Sequence, residues 1–281
     1  MEFIKFMVNM KYTVLMSVYN REKAEYLDIA IKSMLEQTVK PDEFIIVEDG
    51  MLTKELYQII EHYKNSFPNL FKIISLSENK GLGPALAIGI QSSKNELIAR
   101  MDSDDFSVST RCEKQLYKFK EDPELGIVGT YEVEFINDIN NEISVHRVPE
   151  TNEEINRFMR RRCALLHPTV MYRRSAVQRC GNYHSVYLYE DYDLFSRMIF
   201  EYDIKSYNIQ EKLYYIRTSE DFFKRRGGAS YLKTVVKFKW KQYKKGYMSV
   251  IDFFISGAGQ AFICMLPNKL RKAFYLKFLR K

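Results

Sequence analysis

Cysteine, histidine and tryptophan are scarce in this chain, and their scarcity excludes several classes of protein. The 281 residues include four cysteines, four histidines and one tryptophan. The cysteines are Cys112, Cys163, Cys180 and Cys264. Because no two of them form a CxxC pair, the sequence predicts reduced thiols of a cytosolic protein, not a disulfide framework or a zinc site. The histidines show no spacing typical of metal ligands.

Long apolar runs are also missing. The first six residues lack the apolar core and the small-residue cleavage site of a signal peptide. The most apolar stretch, residues 250–267, contains Asp252 and Gln260 and is too short and too polar for a membrane span. The sequence therefore predicts a cytoplasmic protein without a membrane-spanning helix.

The net charge of +7 conceals a strong asymmetry between the two ends of the chain. Residues 222–281 contain 15 Lys or Arg and a single acid, Asp252, which gives a net charge of +14. The first 221 residues carry 28 basic and 35 acidic side chains, a net charge of −7. This division predicts a polyanionic partner for the C-terminal part. Nucleic acid is not expected to be that partner, because no zinc-finger, helix-turn-helix or RNA-binding signature is present.

Strands and helices alternate through the first hundred residues. Four apolar runs predict buried strands: residues 12–18, 44–47, 71–76 and 97–101. Helical spacing predicts helices over 25–37, over 52–63 and from Gly81 onward. This alternation is typical of an α/β fold with a mostly parallel sheet and helices on both faces. Parallel strands deliver the loops that follow them to one edge of the sheet, so functional side chains are expected there.

The second half of the chain mixes the two kinds of element. Helices are predicted over 111–120, 152–162 and 190–201. Strands are predicted over 126–136, 142–147 and 169–172, the first two arranged as a hairpin. No internal repeat and no low-complexity segment is present.

Carboxylates cluster where the fourth predicted strand ends. Asp102, Asp104 and Asp105 follow the apolar run 97–101, and Asp49 follows the second strand. Adjacent carboxylates repel one another and are costly to desolvate, so a divalent cation such as Mg²⁺ or Mn²⁺ would stabilise them. The pattern predicts a metal at this edge with a phosphate-bearing substrate on it. The alternative is structural, because acids at strand ends also form turns and cap helices.

Two basic residues lie on the same predicted edge. Lys80 stands in the loop after the third strand, and Arg100 stands near the end of the fourth. Both can meet phosphate, since cations make charge-assisted hydrogen bonds to it. The alternative for both is a surface charge without a ligand.

Five short motifs together resemble glycosyltransferase family 2, a group of inverting enzymes with the GT-A nucleotide-diphospho-sugar fold. They are residues 14–20 (VLMSVYN), 45–50 (IIVEDG), 79–82 (NKGL), 100–105 (RMDSDD) and 189–194 (YEDYDL). The match runs from Tyr12 to about Ile216. Within the family the sequence looks most like bacterial enzymes of capsule, O-antigen and exopolysaccharide assembly. The resemblance implies that the second half of the sheet binds an acceptor sugar.

The resemblance implies a role for each donor-side residue. Ser17 and Tyr19 would line the pocket for the base, and Asp49 would accept a hydrogen bond from the imide N–H of uracil, so that the donor is a UDP-sugar. Asp102 would lie near the ribose. The resemblance also implies that Asp104 binds the metal, Mn²⁺ or Mg²⁺, with Asp105 as the second choice of ligand.

Asp191 would be the general base, and Glu190 would share its side of the cleft. Crowding of these two acids near a negative donor would raise the pKa of a carboxyl toward a value useful for a base. The alternative is that residues 190–193 only cap the helix that begins there. The QxxRW motif of processive synthases is missing from the C-terminal half, which favours transfer of a single sugar.

We expect a catalytic domain over residues 1–221, with a nucleotide-sugar half at about 10–110 and an acceptor half at about 111–221. Residues 222–281 would form a basic, aromatic and helical extension. Its segment 266–281 is typical of an amphipathic helix on an anionic membrane surface, or of a solvated charged face. Family acceptors are often carried on polyprenyl diphosphate, so the resemblance implies a lipid-linked acceptor and a peripheral position on the inner face of the membrane.

Two other functions remain open at the level of sequence. One is a nucleotidyltransferase of related fold, although that class usually has a glycine-rich loop after the first strand and residues 19–22 contain no glycine. The other is a membrane-associated protein that binds nucleotide sugars without catalysis. Intact acids at 102, 104 and 191 favour the enzyme over the binder.

Overall fold

The computed structural model describes residues 10–218, 228–267, 270, 271 and 274. The first half alternates strands and helices as predicted. Its strands are β1 (Tyr12–Val18), β2 (Glu43–Glu48), β3 (Phe71–Ser75) and β4 (Leu97–Met101). Its helices are α1 (Ala24–Leu35), α2 (Lys54–Ser66) and α3 (Leu82–Ser92).

The second half is mixed, also as predicted. Its strands are β5 (Phe106–Ser107), β6 (Leu125–Phe135), β7 (Glu142–His146), β8 (Met171–Arg173) and β9 (Lys205–Arg217). Its helices are α4 (Arg111–Glu121), α5 (Asn152–Met159), α6 (Arg174–Arg179) and α7 (Glu190–Phe200), with a 3₁₀ turn at His167–Thr169. Helix α5 ends three residues earlier than the sequence pattern predicts, and the long strand β9 has no counterpart among the predicted elements.

One sheet holds the described strands in the order β3-β2-β1-β4-β8-β6-β9-β5, and β7 pairs with β6. Strands β1 to β4 are all parallel to one another, so the loops after them share one edge. Strand β8 is antiparallel to both β4 and β6, while β6 and β9 are parallel. The predicted hairpin of β6 and β7 is confirmed. The predicted parallel sheet is therefore confirmed for the donor half, and the second half is mixed.

Two apolar cores cover the two faces of the sheet. On β1, Met16 points into the core beneath α1, α2 and α4. Leu15, the residue before it, points to the other face and into the core beneath α3 and α7. Both side chains are fully buried. Alternate residues of a strand face opposite sides, so a strand that is apolar at every position is buried on both. This arrangement fixes the strand ends, on which the site is built.

The C-terminal extension is helical where the structure describes it. Helices α8 (Ala229–Lys244) and α9 (Val250–Met265) form a hairpin that packs on the acceptor half. Lys241 forms an ion pair with Asp193 at 2.8 Å, and Arg161 forms one with Asp252 at 2.6 Å. Within the described part of the chain, none of the helices is long and apolar enough to traverse a bilayer. Most of the predicted amphipathic segment 266–281 lies outside the described residues.

Candidate active site

The acidic loop after β4 is anchored by a buried arginine. Arg100 is 1% exposed, and its guanidinium forms an ion pair with the carboxylate of Asp102. The arginine therefore faces inward, against the acid beside it, while the carboxylate of Asp102 stays partly exposed. The contact of Arg100 with phosphate stays a prediction. In the structure, its guanidinium neutralises the charge of Asp102.

Strand β9 braces the same loop. The Tyr214 hydroxyl accepts a hydrogen bond from the backbone N–H of Asp102 (3.1 Å) and donates one to the carboxylate of Asp105 (2.9 Å). The backbone N–H of Arg217 donates to the other oxygen of Asp105 (2.7 Å), and its side chain donates to the carbonyl of Asp104 (2.9 Å). Asp105 is 1% exposed. Both of its oxygens bind the scaffold, so the geometry favours Asp104 over Asp105 as a metal ligand.

Asp104 lies among like charges. Burial, followed by the nearby carboxylates of Asp102 and Glu22, raises the pKa of Asp104 to about 7. Glu22 accepts a hydrogen bond from the Ser103 hydroxyl at 2.8 Å, which holds it beside the loop. Burial also raises the pKa of Glu22. This corner of the site has an excess of negative charge, which a divalent cation would offset.

The donor set fits a cation that is shared with a substrate. Among the described residues, no three His, Cys, Asp or Glu side chains converge on a point that could hold a metal by themselves. Mg²⁺ is usually bound by one or two carboxylates together with substrate phosphates, and Mn²⁺ accepts the same oxygen ligands. Asp104 and the neighbouring acids can therefore hold a metal only when a phosphate-bearing ligand completes its coordination.

Asp49 organises the loop that precedes α3. Its carboxylate accepts hydrogen bonds from the backbone N–H groups of Lys80 (2.7 Å) and Gly81 (3.0 Å). Gly50, which follows it, has a φ of +85° and lies against this loop, where a Cβ would come within 2.8 Å of the Asn79 nitrogen. Each Asp49 oxygen keeps a second lone pair, so the predicted bond to uracil stays geometrically open.

The remaining donor-side residues surround the same strand ends. Ser17 is half-buried near the end of β1, and Tyr19, just beyond that strand, is 41% exposed. The N–H of Asp49 donates to the carbonyl of Val18 at 2.8 Å, which ties the ends of β1 and β2 together. Lys80 is exposed in the loop that Asp49 holds. The structure therefore brings these predicted residues to one edge, and their binding roles stay predictions.

Helix α7 brings two acids to this edge from the second half of the chain. Burial raises the pKa of Glu190 to about 7, with a further contribution from Asp191. Glu190 also lies within electrostatic reach of Arg100 and Asp102. Gly83 in α3 leaves room for this approach, since a Cβ there would lie 3.2 Å from the Cβ of Glu190. The second half of the chain therefore brings Glu190 to the edge formed by the first half.

Asp191 lines a cavity. The cavity has a volume of about 470 Å³ and lies between residues 161–168 and the hairpin α8–α9. Asp191 also accepts a hydrogen bond from the N–H of Tyr192 at 2.7 Å, which orients its carboxylate.

Several functional positions were not predicted from the sequence. The sequence pattern shows Glu22 only as a loop residue. Its position just after β1 is nevertheless a signal that it lies at the edge of the sheet where the strands end. Tyr214 and Arg217 gave no local signal, because their partners lie more than a hundred residues away in the chain. Lys239 was counted only as one of many basic residues, yet it is 5% exposed and lines the cavity.

The parallel strands β1 to β4 with acidic loops at one edge define an α/β protein of the nucleotide-binding kind of architecture, and comparison with known proteins gives the family. Residues 13–186 match the profile of glycosyl transferase family 2. The chain belongs to this family and is a glycosyltransferase. The nucleotidyltransferase and non-catalytic alternatives are therefore set aside.

Two relatives are similar over most of their length. A UDP-Gal:alpha-D-GlcNAc-diphosphoundecaprenol beta-1,3-galactosyltransferase of Escherichia coli is 32% identical over 271 residues, which is 96% of this chain and 97% of that protein. The amylovoran biosynthesis glycosyltransferase AmsE of Erwinia amylovora is 33% identical over 227 residues, 80% of this chain and 83% of its own.

A solved structure confirms the fold. The mannosyltransferase PcManGT from Pyrobaculum calidifontis, in complex with GDP-Man and Mn²⁺, superposes with a TM-score of 0.63 at 14% identity. The match covers 94% of this chain and 73% of the other. The predicted GT-A fold is thus confirmed.

Proposed function

We propose that this glycosyltransferase moves one sugar from a UDP-sugar to a lipid-linked saccharide, with inversion at the anomeric carbon and with a divalent metal. The observation that carries the proposal is the meeting of two acidic groups at one edge. Asp104 lies in a negative corner after β4, and Glu190 and Asp191 approach that edge from α7. A metal site and a base thus lie on two sides of one cleft.

The donor side follows from the strand ends. Ser17, Tyr19 and Asp49 surround the place where a nucleotide base would sit, and Asp102 would face the ribose. Lys80, in the loop whose backbone Asp49 holds, would meet the diphosphate. The E. coli relative is described as using UDP-Gal, which supports a uridine donor.

The metal is assigned to Asp104. When bound, Mn²⁺ or Mg²⁺ would supply a Lewis acid that stabilises the negative charge of the departing diphosphate. The buried, mutually repelling acids around Asp104 support this role, and PcManGT holds Mn²⁺ with a nucleotide sugar on the same fold. Arg100 and Tyr214 hold the acidic loop in place through Asp102.

Asp191 is the base in this proposal. A carboxylate within hydrogen-bond reach of the acceptor hydroxyl removes its proton as the oxygen attacks, and direct displacement of UDP inverts the anomeric carbon. Glu190 lies beside Asp191. When it is ionised, its negative charge disfavours ionisation of Asp191 and so raises the pKa of that carboxyl. The cavity next to Asp191 gives the acceptor a route to that carboxylate.

The acceptor is assigned as a saccharide on a lipid diphosphate, which places the reaction at the inner face of the membrane and in the assembly of surface polysaccharide. The names of the two relatives support this assignment. The C-terminal hairpin supports it as well, because it exposes a broad apolar face next to lysines. Seven of its exposed apolar residues are Val236, Trp240, Ile251, Phe254, Ile255, Phe262 and Met265.

This membrane surface, composed of those seven side chains with Lys237 and Lys244, has the composition of an interfacial anchor. Lys244 lies over the ring of Trp240 at 5.3 Å from its centroid. Apolar side chains enter the boundary of the acyl chains, and lysines attract anionic headgroups. A Phe254→Asp variant should lose binding to vesicles that contain anionic lipid. Unchanged co-sedimentation with such vesicles would contradict the membrane assignment without affecting the donor assignment.

The donor assignment is tested by a panel of nucleotides and nucleotide sugars with Mn²⁺, Mg²⁺ or EDTA. We expect UDP-sugars with metal to raise the melting temperature, because a ligand that binds only the folded state stabilises it by mass action. Slow hydrolysis of the same donor identifies the sugar, and NMR of the product anomer tests inversion. A stronger shift with GDP-sugars, or no effect of EDTA, would overturn the uridine or the metal assignment.

A further inference from the structure

The cavity beside Asp191 is lined by both cationic and aliphatic side chains. Lys239, Arg161 and Arg162 are its lysine and arginine residues, and Asp191 and Glu132 are its acids. Helix α9 contributes two aliphatic side chains, Ile255 and Ile263, which we call the apolar wall, together with Ser256, Gly259 and Gln260. A saccharide alone needs neither a buried cation nor an aliphatic wall, so the composition indicates a ligand with more than sugar chemistry.

Lys239 is the clearest cationic group. It is 5% exposed, and its ammonium donates to the carbonyl of Arg161 at 2.7 Å and lies 3.4 Å from the hydroxyl of Tyr192. Among the described residues, no carboxylate forms an ion pair with it at 4.0 Å or less. Burial lowers the pKa of Lys239 to about 8. A buried ammonium without a counter-ion is costly, and an anionic ligand would supply the missing charge.

A second cation is held in place on the same lining. The guanidinium of Arg162 contacts Nε2 of His146 at 2.9 Å, and Nδ1 of His146 lies 3.0 Å from the carboxylate of Glu132. If His146 is neutral, with its proton on Nδ1, it donates to Glu132 and accepts from Arg162. The chain of contacts therefore orients the guanidinium on the cavity lining.

The apolar wall continues onto the membrane surface defined above. Ile255 lines the cavity and is also 50% exposed, so it belongs to both. Phe254, the preceding residue, is 66% exposed, and Ile251, one turn earlier, is 64% exposed. An aliphatic chain leaving the cavity along α9 would therefore stay in contact with apolar side chains until it reached the bilayer.

We propose that this cavity is the subsite for the phosphate-bearing junction of an amphiphilic acceptor, with Lys239 and Arg162 binding the phosphate. The acceptor sugar would point to Asp191, and the hydrocarbon would leave along Ile255. The inference rests on the proposed transfer to a lipid-linked acceptor and adds the residues that recognise its anionic linkage.

The test is direct binding, measured by calorimetry with three probes below their micelle concentration: dodecyl diphosphate, inorganic pyrophosphate and dodecyl glucoside. We expect dodecyl diphosphate to bind at least about tenfold more tightly than either of the others. It is the only one of the three probes that can both pair with the two cations and cover the apolar wall with a hydrocarbon chain. Lys239→Met should weaken it by about tenfold. The matched control, Lys233→Met, alters an exposed lysine on the same helix and should change binding by less than about twofold.

Two crossed measurements separate this proposal from the donor assignment. Lys239→Met should keep binding of UDP with Mn²⁺, whereas Asp104→Asn should lose UDP and keep dodecyl diphosphate. Equal binding of pyrophosphate and dodecyl diphosphate would overturn the amphiphilic acceptor in favour of a soluble phosphate. Unchanged binding in Lys239→Met, or an equal loss in Lys233→Met, would overturn the role of Lys239.

A measurement on the unmodified protein covers the case in which Lys239→Met does not fold. Near pH 9 the diphosphate probe is fully ionised, while Lys239 is largely neutral, given its lowered pKa. An anion beside it would raise that pKa, so binding should take up a proton. Calorimetry in buffers of different ionisation enthalpy measures this uptake. Binding without proton uptake would contradict contact between the phosphate and Lys239.

Discussion

The two sides of the proposed cleft differ in secondary structure and in charge. The donor side consists of loops at the ends of parallel strands and is crowded with carboxylates, of which Asp104 and Glu22 repel each other. The acceptor side consists of helices and carries the cations Lys239 and Arg162 next to an apolar wall. The two sides meet at Glu190 and Asp191. Under the proposed function, this difference would let one cleft accept a metal-bound diphosphate and an anionic acceptor without bringing their negative charges onto the same protein groups.

The largest effect is expected from removing the proposed base, Asp191, at the position where the two sides meet. Asp191→Asn should lower turnover by about 10²–10⁴-fold, since the proton of the acceptor hydroxyl loses its carboxylate. Binding of UDP with Mn²⁺ should stay within about twofold of the wild type, because the donor residues are unchanged. Turnover is measured at saturating donor and acceptor. Full turnover in this variant would mean that another group is the base.

Removal of the metal ligand should affect only the donor side. Asp104→Asn should lower transfer by about 10³-fold, since a cation at a developing charge is worth several kcal/mol. Asp105→Asn is the informative comparison, because its oxygens bind Tyr214 and Arg217. We expect Asp105→Asn to lower the melting temperature and Asp104→Asn to alter the Mn²⁺ dependence of activity. The reverse pattern would make Asp105 the ligand.

The support that β9 gives to the acidic loop can be tested by removing the hydroxyl of Tyr214. Tyr214→Phe leaves the buried carboxylate of Asp105 without one donor and should reduce the free energy of unfolding by about 1–3 kcal/mol. Tyr215→Phe is the control, because its hydroxyl binds the exposed Glu142. Urea denaturation of both variants gives the difference. Equal stability of the two variants would show that the hydroxyl does not support the acidic loop.

The smallest effect concerns pH. Because the folded-state pKa of Glu190 is raised to about 7, the folded protein retains a proton between about pH 4.5 and 7 that the unfolded chain releases. This group therefore lowers stability as the pH rises through that window. Glu190→Gln should match the wild type at pH 5 and be more stable at pH 8 by about 1–2 kcal/mol. Thermal melting at both values measures it, and a variant that is equally stable at pH 8 would contradict the raised pKa.

The sequence predicted the donor half far better than the acceptor half, for a physical reason. Strands β1, β2 and β4 are buried on both faces, so their apolar runs and the acids that follow, such as Asp49 and Asp104, are local signals. Strand β9 is interrupted by exposed polar side chains, and its role depends on partners as distant as Asp105. Lys239 resembles its surface neighbours in sequence, and only the packing of α8 on residues 161–168 separates it from them.

Gly83 has a consequence for the spacing of the elements that meet at the site. A methyl group at this position would press against the Cβ of Glu190 at 3.2 Å and the carbonyl of His184 at 3.0 Å. Even the smallest side chain would therefore oblige α7 or the loop before it to give by a few tenths of an ångström. A backbone position on α3 thus takes part in setting where the carboxyl of Glu190 lies, although it has no side chain of its own.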